Sequence, residues 1–223
     1  MGIEFINKSV NIIVSKPTTS TPDLMQPDDH AICELYPQSE IFWPAFSYLD
    51  FVKTLQTDFD HFFARSRRRT LFYGNHDYSY GRVNHKSRPI SDNSYVSKFF
   101  NILTKLFPQY QFNSILINFY PDFDSHLPYH ADNEPEIGND SSIITLSLGT
   151  SRCISFRCSS SKEQLIKLIL KHGDILTFSR KSQSFYEHSI LSSSSISDSD
   201  ILTDENNSIF NSSRISLTFR NLE

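Results

Sequence analysis

The sequence predicts a mainly β domain, a sandwich or barrel with flanking helices. From Phe112 onward, apolar residues recur at every second position, the period of a half-buried strand. The runs are short and separated by tight-turn signals, such as Gly149-Thr150 and His172-Gly173-Asp174. The 223 residues include 19 Phe and 10 Tyr, enough aromatic surface to fill a sheet-rich core, so wholesale disorder is excluded.

Taken in order, residues 1–30 read as irregular, with turn signals at Lys16 to Pro22 and Gln26 to Asp29. Leu49, Val52, Leu55 and Phe59 recur at helical spacing and predict a helix from about Ser47 to Phe62, with Ser47 as cap. Residues 65–88 are basic: Arg65, Arg67, Arg68, Arg69, Arg82, Lys86 and Arg88 face one acid, Asp77. Aromatics interleave with them, so this stretch reads either as a solvated loop over core aromatics or as phosphate contacts beside stacking side chains. Tyr95 to Leu106 predicts a second helix, ended by Pro108.

Strands follow at Phe112 to Tyr120, Ile143 to Leu148 and Arg152 to Arg157, the last two joined as a hairpin through Gly149-Thr150. Leu165 to Leu170, Ile175 to Phe178 and Arg214 to Arg220 are further strands, and the serine-rich, acidic residues 191–212 read as a mobile surface excursion.

Charge and cysteine usage narrow the function classes. A net charge of −4 excludes a basic nucleic-acid coat while permitting a local basic surface. Cys33, Cys153 and Cys158 form no disulfide framework and read as free thiols in a reducing compartment. No secretion signal and no apolar run of the ~20 residues a membrane span needs are seen, so a cytoplasmic location is expected. The chain starts Met1-Gly2 and closes Leu222-Glu223 directly after a strand, which suggests a domain cut from a larger protein.

The second half carries the chemistry. His130 and Asp132 are two apart, so in an extended strand they share a face and reach one metal. His188 is the best third ligand, with His126 and His172 as competitors. Two imidazoles and one carboxylate with open positions are what a non-haem Fe(II) oxygenase needs. Arg214 and Arg220 are an even interval apart and face one side of their strand, where guanidinium forks suit the carboxylates of a cosubstrate.

The flanking sequence adds a family resemblance. Asn118-Phe-Tyr120, His130-Ala-Asp-Asn-Glu134, Ile144 to Gly149, Arg152 to Arg157, Gly173 to Leu176, Tyr186-Glu-His188 and Arg214 to Arg220 occur in the order of the AlkB family. The chain therefore resembles Fe(II)/2-oxoglutarate dioxygenases that dealkylate nucleic acids, over about residues 112–220. Tyr73-Gly74 and Tyr78 to Gly81 resemble that family's recognition lid more loosely.

The resemblance implies a double-stranded β-helix (jelly-roll) core at 111–223, with residues 1–110 as an extension and lid packed on it. It implies His130, Asp132 and His188 as catalytic iron ligands. Asn118, Tyr120, Leu127, Arg214, Ser216 and Arg220 would bind 2-oxoglutarate, with Arg214 on the distal carboxylate and Arg220 near the metal end. Glu134 falls at the acidic position that contacts the target base. Tyr80 matches the stacking aromatic, with Tyr78 as the alternative register, and Arg67, Arg68 and Arg69 are the candidate phosphate contacts. Ser216 departs from the Asn some members carry, and the stretch from His188 to Arg214 is longer than usual.

The implied cofactors are Fe(II), 2-oxoglutarate and O2, and the implied reaction is oxidative demethylation with release of succinate, carbon dioxide and formaldehyde. A flipped base leaves a single strand at low cost, so the expected partner is methylated single-stranded nucleic acid, RNA ahead of DNA, carrying N1-methyladenine or N3-methylcytosine. The family includes cellular enzymes and domains of plant RNA virus replication polyproteins, and the Ser/Asn/Ile-rich composition favours the viral case. A monomer is expected. The rival readings are an oxygenase that hydroxylates a protein side chain and a noncatalytic jelly-roll binding module.

Overall fold

A computed structural model describes residues 10–12, 33–36, 47–56, 59, 61–80, 83–138, 142–195 and 212–223. Two antiparallel sheets form the framework. The larger contains, in spatial order, β1 (Val10–Ile12), β2 (Cys33–Tyr36), β12 (Ile175–Ser179), β9 (Ser142–Gly149), β14 (Arg214–Arg220), β7 (Ser114–Tyr120), β4 (Arg68–Gly74) and β3 (His61–Phe63). The smaller contains β11 (Gln164–Leu170), β10 (Arg152–Cys158), β13 (Tyr186–Ile190) and β8 (Leu127–His130). From β7 onward the chain alternates between the layers except at the β10–β11 hairpin, which stays in the smaller sheet; this is the jelly-roll pattern, so the fold is the double-stranded β-helix that the motifs imply.

The two central strands show why the interior can be polar. In β7, Ile115, Ile117 and Phe119 point to one face, and Leu116, Asn118 and Tyr120 to the other. In β14, Ile215, Leu217 and Phe219 point to the first face, while Arg214, Ser216, Thr218 and Arg220 point to the second. All seven residues of each strand are buried. The apolar set packs under α1 (Tyr48–Leu55) and α2 (Ser94–Leu106), through Phe51, Leu55, Val96, Phe99 and Leu103. Each such side chain taken from water stabilises the fold by about 1.5–3 kcal/mol. That anchoring holds the polar set in the space between the sheets.

Several expected elements differ. The first helix ends at Leu55, and its buried stripe is Tyr48, Phe51, Val52 and Leu55, leaving Leu49 41% exposed. The segment His61–Phe63 is a strand because it finds ladder partners at Arg68 to Thr70. Within the stretch expected to be irregular, Val10–Ile12 pairs with Cys33 to Leu35. The described residues of 65–88 form more than a solvated loop: they supply β4 to the large sheet and the antiparallel pair of β5 (Tyr78–Tyr80) and β6 (Val83–His85).

The expected hairpin through Gly149-Thr150 is absent, since β9 pairs with β12 and β14 whereas β10 pairs with β11 and β13. A two-residue hairpin of type I′ needs positive φ at both central residues, and here only Gly149 has it, at 93°. Thr150 instead donates its N–H to the carbonyl of Ser213 at 2.8 Å, and the chain crosses to the other layer. Of the serine-rich excursion, Ser193–Ser195 is a 3-10 turn and residues 196–211 lie outside the described residues.

Candidate metal and cosubstrate site

His130 on β8 and His188 on β13 are direct cross-strand partners, which sets their rings 4.2 Å apart. Asp132 was expected to reach the same face by strand alternation, but β8 ends at His130 and Asp132 lies beyond the ladder. Its carboxylate still turns to the imidazoles: Oδ1 is 3.8 Å from His130 Nε2 and Oδ2 is 3.9 Å from His188 Nε2. One ligand atom from each residue lies within 4.8 Å of the other two. Among the described residues these three form such a cluster, and His126 and His172 are not part of it.

The surroundings suit a cation. His130 Nδ1 lies 2.9 Å from the carbonyl of Pro128, which only accepts, so Nδ1 carries the proton and Nε2 presents its lone pair to the cluster. His188 stacks on Phe178 at 4.9 Å. Burial lowers both imidazole pKa values, that of His188 to about 3, so both are neutral ligands at ordinary pH. Burial opposes ionisation of Asp132 too. The Arg220 guanidinium outweighs it and holds the carboxyl below its usual range.

A cavity between the sheets continues from this cluster, lined by Asn118, Tyr120, Leu127, Ser216 and Arg214. Arg214 is 1% exposed, donates from Nε to Ser147 Oγ at 2.9 Å, and stands 5.2 Å from the Tyr120 ring centre. Its Nη1 has no hydrogen-bond partner among the described residues. A buried guanidinium N–H left over costs free energy unless an acceptor meets it, and a carboxylate is the acceptor that matches its geometry. Arg220 is spent differently. Nη2 donates to Asp132 Oδ1 at 2.8 Å and Nη1 to the Tyr78 hydroxyl at 2.9 Å, while the residue still lines the cavity.

The cluster opens outward into a depression of about 540 Å³, lined by Phe63, Arg65, Arg68, Tyr80, His130 and Glu134 among others. The Tyr80 ring lies 6.1 Å from that of His130. Tyr78 sits behind it, 1% exposed and bonded to Arg220, so the structure brings Tyr80 and not Tyr78 to the opening. Glu134 has one buried oxygen without a partner among the described residues, and burial, with Asp132 nearby, raises its pKa.

The three arginines expected on phosphate part ways. Arg67 is exposed and pairs with Asp122 at 2.5 Å and Asp124 at 3.6 Å. Arg68 is 3% exposed, hydrogen-bonds to Asn118 Oδ1, and lies 4.4 Å over the Phe63 ring, so it is part of the interior. Arg69 falls on the opposite face of β4, over Phe62 at 5.9 Å, and is not brought to the site. Gly81 and Arg82 lie outside the described residues.

Two residues went unseen in sequence. The buried guanidinium of Arg152 donates to the carbonyls of Asp122, Phe123, Ser125 and Leu191, fixing the loop that leads into β8. Gln183 Oε1 accepts from the Asp132 N–H at 3.0 Å. In the sequence Arg152 is only the first residue of a strand and motif, with no role of its own, and Gln183 sits in a Ser/Lys run without a signal.

A family model described as the 2OG-Fe(II) oxygenase superfamily matches residues 55–220. The chain belongs to that superfamily. This oxygenase is AlkB-like. It is 27% identical over 133 residues to the rat alpha-ketoglutarate-dependent dioxygenase alkB homolog 3, covering 55% of this chain and 44% of that protein. It is 31% identical over 86 residues to the bovine DNA oxidative demethylase ALKBH2, covering 35% of this chain and 31% of that protein. The oxygenase chain thus spans less than half the length of these curated relatives. The solved structure of OsALKBH1 aligns with a TM-score of 0.48 at 16% identity, over 77% of this chain and 91% of that one. The superfamily uses Fe(II), 2-oxoglutarate and O2, and the cluster of two imidazoles and a carboxylate fits the iron.

Proposed function

We propose that this oxygenase oxidatively demethylates N1-methyladenine and N3-methylcytosine in single-stranded nucleic acid, RNA ahead of DNA. The observation that carries this reading is the placement of the cluster of His130, Asp132 and His188 between two spaces. One is the inter-sheet cavity into which Arg214 brings a guanidinium nitrogen, Nη1, without a partner among the described residues, and the other is an open depression of about 540 Å³. The guanidinium nitrogen of the first is chemically matched to a cosubstrate carboxylate, and the open second space is matched to a base. The name of one relative, a DNA oxidative demethylase, supports oxidative demethylation of a nucleic acid.

His130, Asp132 and His188 would hold Fe(II), which with 2-oxoglutarate and O2 supplies the oxidation that removes the methyl group as formaldehyde and leaves succinate. Arg214 holds the distal carboxylate of 2-oxoglutarate. Tyr120 and Asn118 add hydrogen bonds, and Leu127 and Ser216 wall the acid. With Asn118 Oδ1 occupied by Arg68, the amide offers its NH2 group to the cavity. Arg220 keeps Asp132 ionised and aimed. Tyr80 stacks on the base at the opening, and Glu134 lies where an exocyclic amino group would donate to it.

Single strands are favoured because the base must leave its stack to reach the buried cluster. The net charge of −4 suits a short contact better than a long duplex footprint. Of the basic stretch, Arg65 lies at the opening and is exposed, where it can meet a phosphate.

The test incubates Fe(II)-loaded protein with 2-oxoglutarate and methylated oligonucleotides, RNA and DNA, single- and double-stranded. Loss of 14 mass units, about one methylene, in step with succinate is the expected result. Succinate formed with a peptide, and with none of the oligonucleotides, would reject the proposal in favour of a protein hydroxylase.

A further inference from the structure

The metal-site carboxylate belongs to a backbone segment that no ladder supports. Strand pairing stops at the His130–His188 pair, and residues 131–134 run on without regular structure. Such a segment should leave the orientation of Asp132 loose, yet Asp132 is buried and its N–H is satisfied. The acceptor is a side chain 51 residues away, Oε1 of Gln183 at 3.0 Å. Gln183 is 3% exposed and sits on α3 (Arg180–Phe185), the short helix that leads directly into β13 and His188.

The same helix makes a second contact with the segment. Arg180 Nη1 donates to the carbonyl of Glu134 at 3.2 Å. The helix is itself pinned at its start. Ser179 Oγ accepts from the Ser182 N–H at 3.0 Å, and Ser182 Oγ donates to the Ser179 carbonyl at 2.7 Å. One rigid piece of chain therefore carries His188 at its far end and grips the backbone on both sides of Asp132.

We propose that Gln183 is a positioning residue that fixes Asp132 relative to His188, with Arg180 steadying the same segment at Glu134. The inference rests on the reading of His130, Asp132 and His188 as the metal ligands. A buried N–H without an acceptor costs free energy. Without Gln183 the segment turns to find one and takes the Asp132 carboxylate with it. Arg220 grips the carboxylate end and Gln183 the backbone end, so two points define the direction of the side chain.

The test measures Mn(II) affinity in the full chain by the paramagnetic resonance signal of the free ion, with and without 2-oxoglutarate, beside the melting temperature. Wild-type protein binds Mn(II) and Asp132→Ala does not. Gln183→Met keeps the side-chain length, removes the acceptor, and weakens Mn(II) binding roughly 10- to 100-fold, as loss of groups that orient ligands does. Gln183→Glu keeps an acceptor oxygen and binds close to wild type. Gln183→Asn, polar but too short to reach, weakens binding like Gln183→Met and carries the test should that variant not melt cooperatively.

Wild-type Mn(II) affinity in Gln183→Met or Gln183→Asn, with Asp132→Ala inactive in binding, overturns the inference alone. Equal losses in Gln183→Glu and Gln183→Met overturn it too, because packing would then explain both. A wild-type chain that binds no Mn(II), or an Asp132→Ala variant that binds it equally well, overturns the metal reading and this inference with it.

Discussion

The two ends of the site are built by different means. The proposed cosubstrate end stands on β7 and β14, where Asn118 pairs with Ser216 and Tyr120 with Arg214 in an unbroken ladder. The metal end stands partly on a ladder, through His130 and His188, and partly on the unpaired segment 131–134. Backbone pairing secures the first end, with apolar residues at alternate positions buried beneath it. Side-chain hydrogen bonds from Arg220, Gln183 and Arg180 secure the second. In the proposed reading, backbone pairing therefore holds the end that takes the acid, and side-chain hydrogen bonds complete the end that takes the metal.

Breaking the metal end outright should give the largest effect. Asp132→Ala removes a ligand and also leaves the Arg220 guanidinium buried without its carboxylate. Succinate formation should fall below detection. Stability should drop by about 3–5 kcal/mol, the usual result of removing one partner of a buried pair, as denaturant unfolding would show. Full turnover in this variant would mean that the iron sits elsewhere.

Arg214→Ala tests the cosubstrate end. A hydrogen bond to a charged group is worth about 1.5–3 kcal/mol, so the KM for 2-oxoglutarate should rise roughly 10- to 150-fold. Mn(II) affinity without 2-oxoglutarate should not change, because Arg214 touches no member of the metal cluster. A parallel loss of metal binding would show that the two ends are coupled and dissolve the contrast between them.

The two tyrosines sharpen the boundary between interior and opening. Tyr80→Ala should raise the oligonucleotide KM by about 5- to 150-fold, from about 1–3 kcal/mol of base stacking. Tyr78→Phe should leave that KM alone. It deprives Arg220 of one acceptor and should cost stability by about 1 kcal/mol. The reverse pattern would move the stacking role to Tyr78.

The smallest effect lies on the outer face of β13, one residue from His188. Glu187 accepts from Lys162 at 2.8 Å and from Arg157 at 2.6 Å, and these bonds outweigh burial to hold its carboxyl below the ordinary 4.5. A lowered folded value means that the stabilisation is present above pH 4.5 and is lost as pH falls through the folded pKa. Glu187→Gln should lower the melting temperature slightly at pH 7 and flatten its decline below pH 4.5. Mn(II) affinity should stay at the wild-type value, since the strand presents His188 on its other face.

Much of this contrast could be read from the chain. The alternation in Ser114–Tyr120 and Arg214–Arg220 says which side chains share a face, because strand geometry enforces a period of two. The motif order points to the jelly roll, while residue type and spacing pair His130 with Asp132 and leave His188 as the best third ligand beside His126 and His172, a choice the structure makes by gathering the three. Harder to read were the elements whose fate depends on a distant partner. Helix periodicity ran on through Phe59, but His61–Phe63 joined a sheet once Arg68 to Thr70 lay beside it. Gly149-Thr150 looked like a hairpin because both flanking runs are strands, and sequence does not say that the runs belong to different layers.

The three adjacent arginines show the division most sharply. Residue type alone makes Arg67, Arg68 and Arg69 equivalent cations. The fold sends one to surface carboxylates, one into the interior beside Asn118, and one to the far face of the sheet. Local sequence decides what each residue can do and which neighbours share its face, since those follow from covalent chemistry and backbone period. Which cation reaches the site, where β8 lets go of the chain, and that a glutamine 51 residues beyond Asp132 must hold it are decided in three dimensions. These depend on contacts between segments far apart in the chain, and no local pattern records them.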